Sequence, residues 1–427
     1  MFPSSIVVVH LIKGDSMNLT RLCRTLVPVA ALATTACSDP NGPGTDPITD
    51  LPRKLTAAEQ KLIGGSNAFA FDLLRQINKS DHAGNVFVSP LSASMALGMA
   101  LNGADGGTYT AMHSTLRLGD LVRTDVNEGY KSLIALLRGL DKSIEFRIAN
   151  SIWYEKTYPF HASFINESKS FFDAQVQALD FANPASVDVI NSWVNEATSK
   201  RIPKIIDGID QNVMFLINAI YFKGAWKNSF DKSKTVNAPF HALDGSTANV
   251  PLMTQSEGTR TFFGSNYAAF DLPYGNTAFS MTVVLPDKGV DINAFTESLS
   301  ESQWAAIDDG MRETGYDVYL PRFKLTWEKK LNPDLSGLGM GLAFTPYKAD
   351  FTRMSPNGKD LFISEVIQKT FVEVNEEGTE AAAATSVGIM PTSLPPSIRV
   401  DRPFVFAIRE RFSGTILFIG KVTRLPG

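Results

Sequence analysis

The chain has 427 residues, with 40 Lys and Arg against 44 Asp and Glu and a formal net charge of −4. No basic run or patch is present to hold a polyanion, so nucleic-acid binding has no support. The only two cysteines, Cys23 and Cys37, lie near the N-terminus; stability must come from a hydrophobic core rather than a disulfide framework, and a chain of this length can build one.

Taken in order, Met17-Asn18-Leu19-Thr20-Arg21-Leu22-Cys23-Arg24 is a short basic opening, and Leu26 to Ala33 is an apolar stretch too short to span a bilayer. Residues 1–36 therefore read as a signal peptide; the start is either Met1 or Met17, and a start at Met17 would leave residues 1–16 outside the protein. Thr34-Thr35-Ala36-Cys37 followed by Ser38 resembles a bacterial lipoprotein signal, cut before Cys37 and lipidated there, although Thr34 stands where an aliphatic residue is usual. A plain secretory signal cut near Ala36, with Cys37 unmodified, is the alternative. The resemblance implies an exported lipoprotein of the bacterial envelope, on the outer membrane or cell surface, and the alternative a secreted, extracellular protein. A Pro/Gly-rich tether covers 37–55, and no linker interrupts 56–427, which reads as one domain.

Ser66 to Ile77 reads as a helix, with Ser66 as cap and Ala70, Leu73, Leu74 and Ile77 on one apolar stripe. Asn183-Pro184 opens another, since proline suits a first helical turn. Val187, Ile190, Val194 and Ala197 are its buried face, Lys200 and Arg201 complement the dipole at its end, and Pro203 follows. The middle and end of the chain are rich in strands. Val366 to Asn375 alternates like a strand, and Pro403–Arg409 and Thr415–Gly420 flank a polar turn containing Ser413-Gly414, a strong hairpin signal.

Between these strands lies Glu376-Glu377-Gly378-Thr379-Glu380-Ala381-Ala382-Ala383-Ala384-Thr385. Composition leaves three readings: an exposed low-complexity loop, a short alanine-rich helix, or a latent strand. As a strand it would place Thr379, Ala381, Ala383, Thr385, Val387 and Ile389 on one uncharged face, and Glu380, Ala382, Ala384, Ser386, Gly388 and Met390 on the other. Gly378 could absorb a large backbone rotation.

A mobile segment slung between strands resembles the reactive loop of the serpins, the serine protease inhibitors. The resemblance extends over almost everything beyond residue 56. It is carried in order by Asn85-Val86-Phe87-Val88-Ser89-Pro90-Leu91-Ser92, by Phe215 to Trp226, and by Val250-Pro251-Leu252-Met253. Asp271-Leu272-Pro273-Tyr274, Val283-Val284-Leu285-Pro286, Leu320-Pro321-Arg322-Phe323 and Arg402-Pro403-Phe404-Val405-Phe406 continue it. It implies an α+β serpin fold with about three β-sheets, eight or nine helices and an exposed C-terminal reactive loop over about 376–400.

The resemblance also implies a mechanism. A target protease attacks the loop and forms an acyl-enzyme; the cleaved loop inserts into the central sheet and traps the protease covalently. The hinge is Glu377, Gly378, Thr379, Glu380, Ala381, Ala382, Ala383 and Ala384. Family spacing, counted from Gly378 and from Pro403, puts the reactive bond at Thr392-Ser393, with the bond after Met390 as runner-up. The small side chains there suit an elastase-like or subtilisin-like protease, and the lack of Arg or Lys between Lys369 and Arg399 argues against a trypsin-like one. Ser89, Ser92 and Asn218 match the family's polar cluster beneath the sheet, with Gln368 where a histidine usually stands. Trp226 matches the aromatic at the top of the sheet.

Nothing in the sequence supports an enzyme. His82, His113, His161 and His241 have no metal-ligand spacing, no Gly-x-Ser-x-Gly elbow occurs, and Gly337-Leu338-Gly339-Met340-Gly341 follows no strand. No cofactor or metal is expected. The expected partner is a serine protease, the expected state is a monomer, and membrane contact would come only through a lipid at Cys37. The alternative function is that of a noninhibitory serpin, a binding or chaperone-like envelope protein.

Overall fold

The computed structural model describes residues 4–12, 46–256, 259–377 and 396–427. In chain order the first elements are β1 (Ser4–Ile12), α1 (Ala57–Ser80), β2 (Val86–Val88), α2 (Pro90–Gly103), α3 (Gly106–Thr115), α4 (Arg123–Gly139), β3 (Glu145–Glu155), α5 (Ala162–Phe172) and β4 (Ala174–Leu179). Next come α6 (Ala185–Ala197), β5 (Asn212–Lys223), β6 (Val236–His241), β7 (Thr247–Gln255), β8 (Thr259–Phe263), β9 (Tyr267–Pro273), β10 (Phe279–Pro286), α7 (Ile292–Ser298) and α8 (Glu301–Gly310). The last are β11 (Arg312–Thr314), β12 (Asp317–Pro321), β13 (Phe323–Lys330), α9 (Asn332–Leu335), β14 (Ile363–Val374), β15 (Ser397–Arg399), β16 (Phe404–Glu410) and β17 (Ile416–Val422).

Among the described residues the strands form three sheets. The central one has six strands in the order β13-β14-β1-β5-β3-β4; a seven-stranded sheet runs β11-β8-β9-β10-β16-β17-β2, and a four-stranded one β15-β12-β7-β6. With the nine α-helices, this is the mixed architecture that the resemblance implied. The hairpin at the C-terminus forms as β16 and β17, with Gly414 at φ 73° in the turn. A positive φ is what glycine tolerates and other residues resist.

Two cores hold the layers together. The larger lies between the central sheet, the seven-stranded sheet and helices α1 and α2. At its centre Phe87 is buried, stacked between Phe406 at 5.5 Å and Phe418 at 5.3 Å. The smaller core lies on the other face of the central sheet, where Ile190 and Val194 of α6 cover Trp153, Phe215, Ile217 and Ala219. Helix α6 thus lies across the front of the sheet, and it ends at Ala197. Val187 and Ala197 are only half-buried, and Ser199 and Lys200 turn the chain out of the helix at φ 48° and 65°. Arg201 lies over the Phe371 ring rather than on the helix axis.

One expectation gives way, and two segments before residue 56 join the fold. Helix α1 starts ten residues before Ser66 could cap it, at the Thr56 N-cap: Glu59 N donates to Thr56 Oγ1 at 3.1 Å, and Thr56 N donates to Glu59 Oε2 at 2.7 Å. This reciprocal box satisfies two free amides at once, while Ser66 is buried inside the helix. The fold also begins earlier than residue 56, because Ile48, Leu51 and Leu55 pack against the core and Ile48 N donates to Asn276 O at 2.9 Å. Residues 4–12, which a start at Met17 would leave out, form β1 in the middle of the central sheet. Its Ile6-Val7-Val8-Val9 run is β-branched throughout and fits a pleated, two-sided buried surface.

Phe87→Ala removes the ring from this stack. It should lower the unfolding free energy by about 3–5 kcal/mol, read as a lower urea midpoint at unchanged slope.

Candidate strand-insertion site

The site is the seam between β5 and β14. Both pair antiparallel with β1, so the two run in the same direction with one strand's width between them. Val7 lies opposite Gln368 on one side and Asn218 on the other, while Val8 lies opposite Ile367 and Ile217. Side chains alternate accordingly: Val7, Val9 and Leu11 join the larger core, whereas Ile6 and Val8 join the core under α6.

Beneath the seam is a buried polar cluster. Ser89 ends β2 and caps α2: its Oγ accepts from Ser92 N at 3.3 Å and donates to Leu417 O at 2.7 Å. Ser92 Oγ donates to Asn218 Oδ1 at 2.5 Å, and Asn218 Nδ2 donates to Asn150 Oδ1 at 2.7 Å. Gln368 uses both ends of its amide on the Ser89 backbone. Its Oε1 accepts from Ser89 N at 3.3 Å, and its Nε2 donates to Ser89 O at 2.8 Å. An amide can do both at once, where a neutral imidazole would need one fixed tautomer. The four expected residues are thus brought together, but in two halves. Ser92 and Asn218 belong to the β5 side and Ser89 and Gln368 to the β14 side; the α2 cap links them below and the Val7 row separates them within the sheet.

At the top of the seam the chain leaving β14 is pinned. Trp226 donates its indole N–H to Asn375 O at 2.9 Å, and its backbone N–H to Glu377 O at 3.2 Å. Its ring stacks on Tyr274 at 4.3 Å. Phe230 N donates to Glu376 O at 2.8 Å, and Lys232 pairs with the Glu377 carboxylate. The Glu376 side chain is 2% exposed; it pairs with Arg322 and accepts from Thr235 Oγ1 at 2.8 Å. Burial alone would push its pKa up, but the hydrogen bonds from Arg322 and Thr235 and the Arg322 charge hold it below the ordinary 4.5. Glu377 is therefore the last described hinge residue. Gly378, Thr379, Glu380, Ala381, Ala382, Ala383, Ala384, the Thr392-Ser393 bond and Cys37 all lie outside the described residues.

Sequence reasoning missed Asn150, Thr235, Arg322 and Tyr274. Arg322 and Tyr274 sat inside quoted motifs, yet nothing local marks a residue whose partner is about fifty or more positions away. It also missed β1. The glycine-rich stretch is a structural turn, with Gly339 at φ 110°. Among the described residues, no group of three or more His, Cys, Asp or Glu gathers to hold a metal.

The site thus combines a central sheet with a one-strand seam filled by β1, a polar cluster below it and an anchored hinge above it. The sequence matches the model of the Serpin (serine protease inhibitor) family over residues 64–425. The leukocyte elastase inhibitor of Equus caballus is 36% identical over 382 residues, covering 85% of this chain and 99% of that protein. The Homo sapiens leukocyte elastase inhibitor is 35% identical over 383 residues with the same coverage. Among solved structures, native Tengpin, a thermophilic serpin, matches with a TM-score of 0.77 at 30% identity over 90% of this chain and 97% of its own. Human thyroxine-binding globulin complexed with its hormone matches with a TM-score of 0.79 at 29% identity over 87% and 100%. The chain belongs to the serpin family.

The Glu376 anchor gives a signed pH dependence. Its folded pKa is depressed, so the stability it contributes is complete above about 4.5 and is lost as pH falls through the lower folded value. Glu376→Gln should flatten this acid limb, measured as thermal stability at pH values from neutral down to below 4.5.

Proposed function

We propose that the protein is a suicide-substrate inhibitor of serine proteases. The observation that carries this reading is the seam itself: a strand running antiparallel to β5 and β14 fits between them, and the anchored hinge leaves the end of β14 beside it. A chain turning back after Glu377 would run in the direction that β1 takes. In the proposed reaction the protease serine attacks the Thr392 carbonyl and the Thr392-Ser393 bond breaks. Ser393 leaves as a free amine, and Thr392 stays on the protease as an ester. Insertion of the Thr379 face then has to outrun hydrolysis of that ester.

The energy for trapping comes from pairing. An inserted strand of about a dozen residues gains ladder bonds on both sides; at roughly 0.5–1.5 kcal/mol net each, the sum rivals the 5–15 kcal/mol stability of a typical domain. The small side chains around Thr392 and the relatives named as leukocyte elastase inhibitors support an elastase-like or subtilisin-like target. We further propose export with cleavage before Cys37 and lipidation there, anchoring the domain to a bacterial envelope as a monomer. The mass of the mature N-terminus tests that part.

A noninhibitory role is the second reading, favoured by one observation: with β1 in place the seam is already full. The two readings separate on mixing the mature protein with elastase- and subtilisin-type proteases. A covalent complex stable to SDS is expected; cleavage of the loop without any complex across a broad panel would refute inhibition. In the same assay Thr379→Arg should turn inhibitor into substrate, because a guanidinium on the inward face blocks insertion. Undiminished complex formation by this variant would count against loop insertion.

A further inference from the structure

We propose that Ser4–Ile12 is a built-in blocking strand, which fills the seam and holds any chain that keeps it in a closed, non-trapping state. The proposal rests on the inhibitor reading and names its regulation.

The fit is specific on every side of the strand. β1 pairs with β14 from Ser4↔Phe371 to Leu11↔Ile363 and with β5 from Ser4↔Tyr221 to Ile12↔Asn212, so it occupies nearly the full length of the seam. Ile6, Val7, Val8, Val9 and Leu11 are all fully buried. Their two faces serve two different cores, and a shift of one residue would exchange those faces. The row of Val7 is the telling one. It places an apolar β-branched side chain between Asn218 and Gln368, whose amides already have partners in Asn150, Ser92 and Ser89. A polar side chain there would face a closed network, whereas valine asks nothing of it. On the front face Ile6 and Val8 are buried in the core formed with α6 and with Ile202, Ile205, Ile206 and Ile209, so the strand is enclosed above as well as flanked.

A second strand cannot share this seam, because each ladder N–H and C=O of β5 and β14 that β1 uses is spent. Being part of the same chain, β1 also competes at a high effective concentration. Its connection to the body through residues 13–45 contains Met17 and the signal-like stretch. A chain that starts at Met17, or that loses residues 1–36 before folding, never carries the block and is armed from the outset. Keeping or losing one nine-residue segment thus selects between a closed and an armed form of the same body.

The test uses the full chain, its Val8→Pro variant and its Val7→Asp variant. Proline removes a donor from the middle of a central strand, where the ladder cannot spare it; aspartate keeps the backbone donors and puts a charge against the Asn218–Gln368 row. Hydrogen exchange and the rate of covalent complex formation with elastase are read side by side. In the full chain the amides of Ile6–Leu11 should be protected on the order of a thousandfold or more. Both variants should lose that protection and trap elastase about tenfold faster or more. Freely exchanging Ile6–Leu11 amides in the full chain would overturn the proposal, as would equal trapping rates in all three proteins despite lost protection. Failure of the inhibitor reading has a different signature: none of the three proteins forms an adduct. Protected Ile6–Leu11 amides would then leave β1 as a permanent strand and overturn its role as a block.

Discussion

A strand buried on both faces in the middle of a sheet must have its backbone groups paired on both edges. In this structure β5 and β14 meet that requirement through β1, which pairs with both along the seam. Helix α6 and the segment Ile202 to Ile209 cover the front of the sheet, α2 and its Ser89 cap support the back, and Trp226, Arg322 and Thr235 fix the point where β14 ends.

The polar cluster shows how such a seam can be both firm and separable. Each half satisfies its own amides: Asn218 through Ser92 and Asn150, and Gln368 through the Ser89 backbone. The Val7 row stands between Asn218 and Gln368, and these named hydrogen bonds run within each half. A buried network that ran across the seam would have to be broken whenever a strand entered or left, at roughly 1–3 kcal/mol per orphaned group. Placing the link in the helix cap beneath the sheet avoids that cost.

Much of this was legible in the sequence. The β16–β17 hairpin announced itself by alternation around Ser413-Gly414, and the front helix by its Ile190 and Val194 stripe. Ser89, Ser92, Asn218, Gln368 and Trp226 were identified through the family resemblance, and the fold brings the first four together. The cap of α1 was equally visible as Thr56 with Glu59 three residues on, but Ser66, which stands on the same apolar stripe as Leu73 and Leu74, drew the assignment. β1 was not legible for a deeper reason. Ile6 to Leu11 is uniformly apolar apart from His10, and a run buried on both faces carries no alternation to say which face is which. Its partners lie more than two hundred residues away, and no local pattern names them. The same distance hid Arg322 from Glu376.

That separation has a consequence in time. Ser4 pairs with both Tyr221 and Phe371, so the earliest part of β1 to leave the ribosome finds the second of its two neighbours only when nearly the whole chain has been made. At roughly 5–20 residues per second the wait is on the order of tens of seconds, far longer than the microseconds in which a helix such as α1 forms. Throughout that interval the segment has no complete seam to enter. Any machinery that reads or removes the N-terminus therefore works against a clock set by the position of β14 in the chain, not by the stability of the finished sheet.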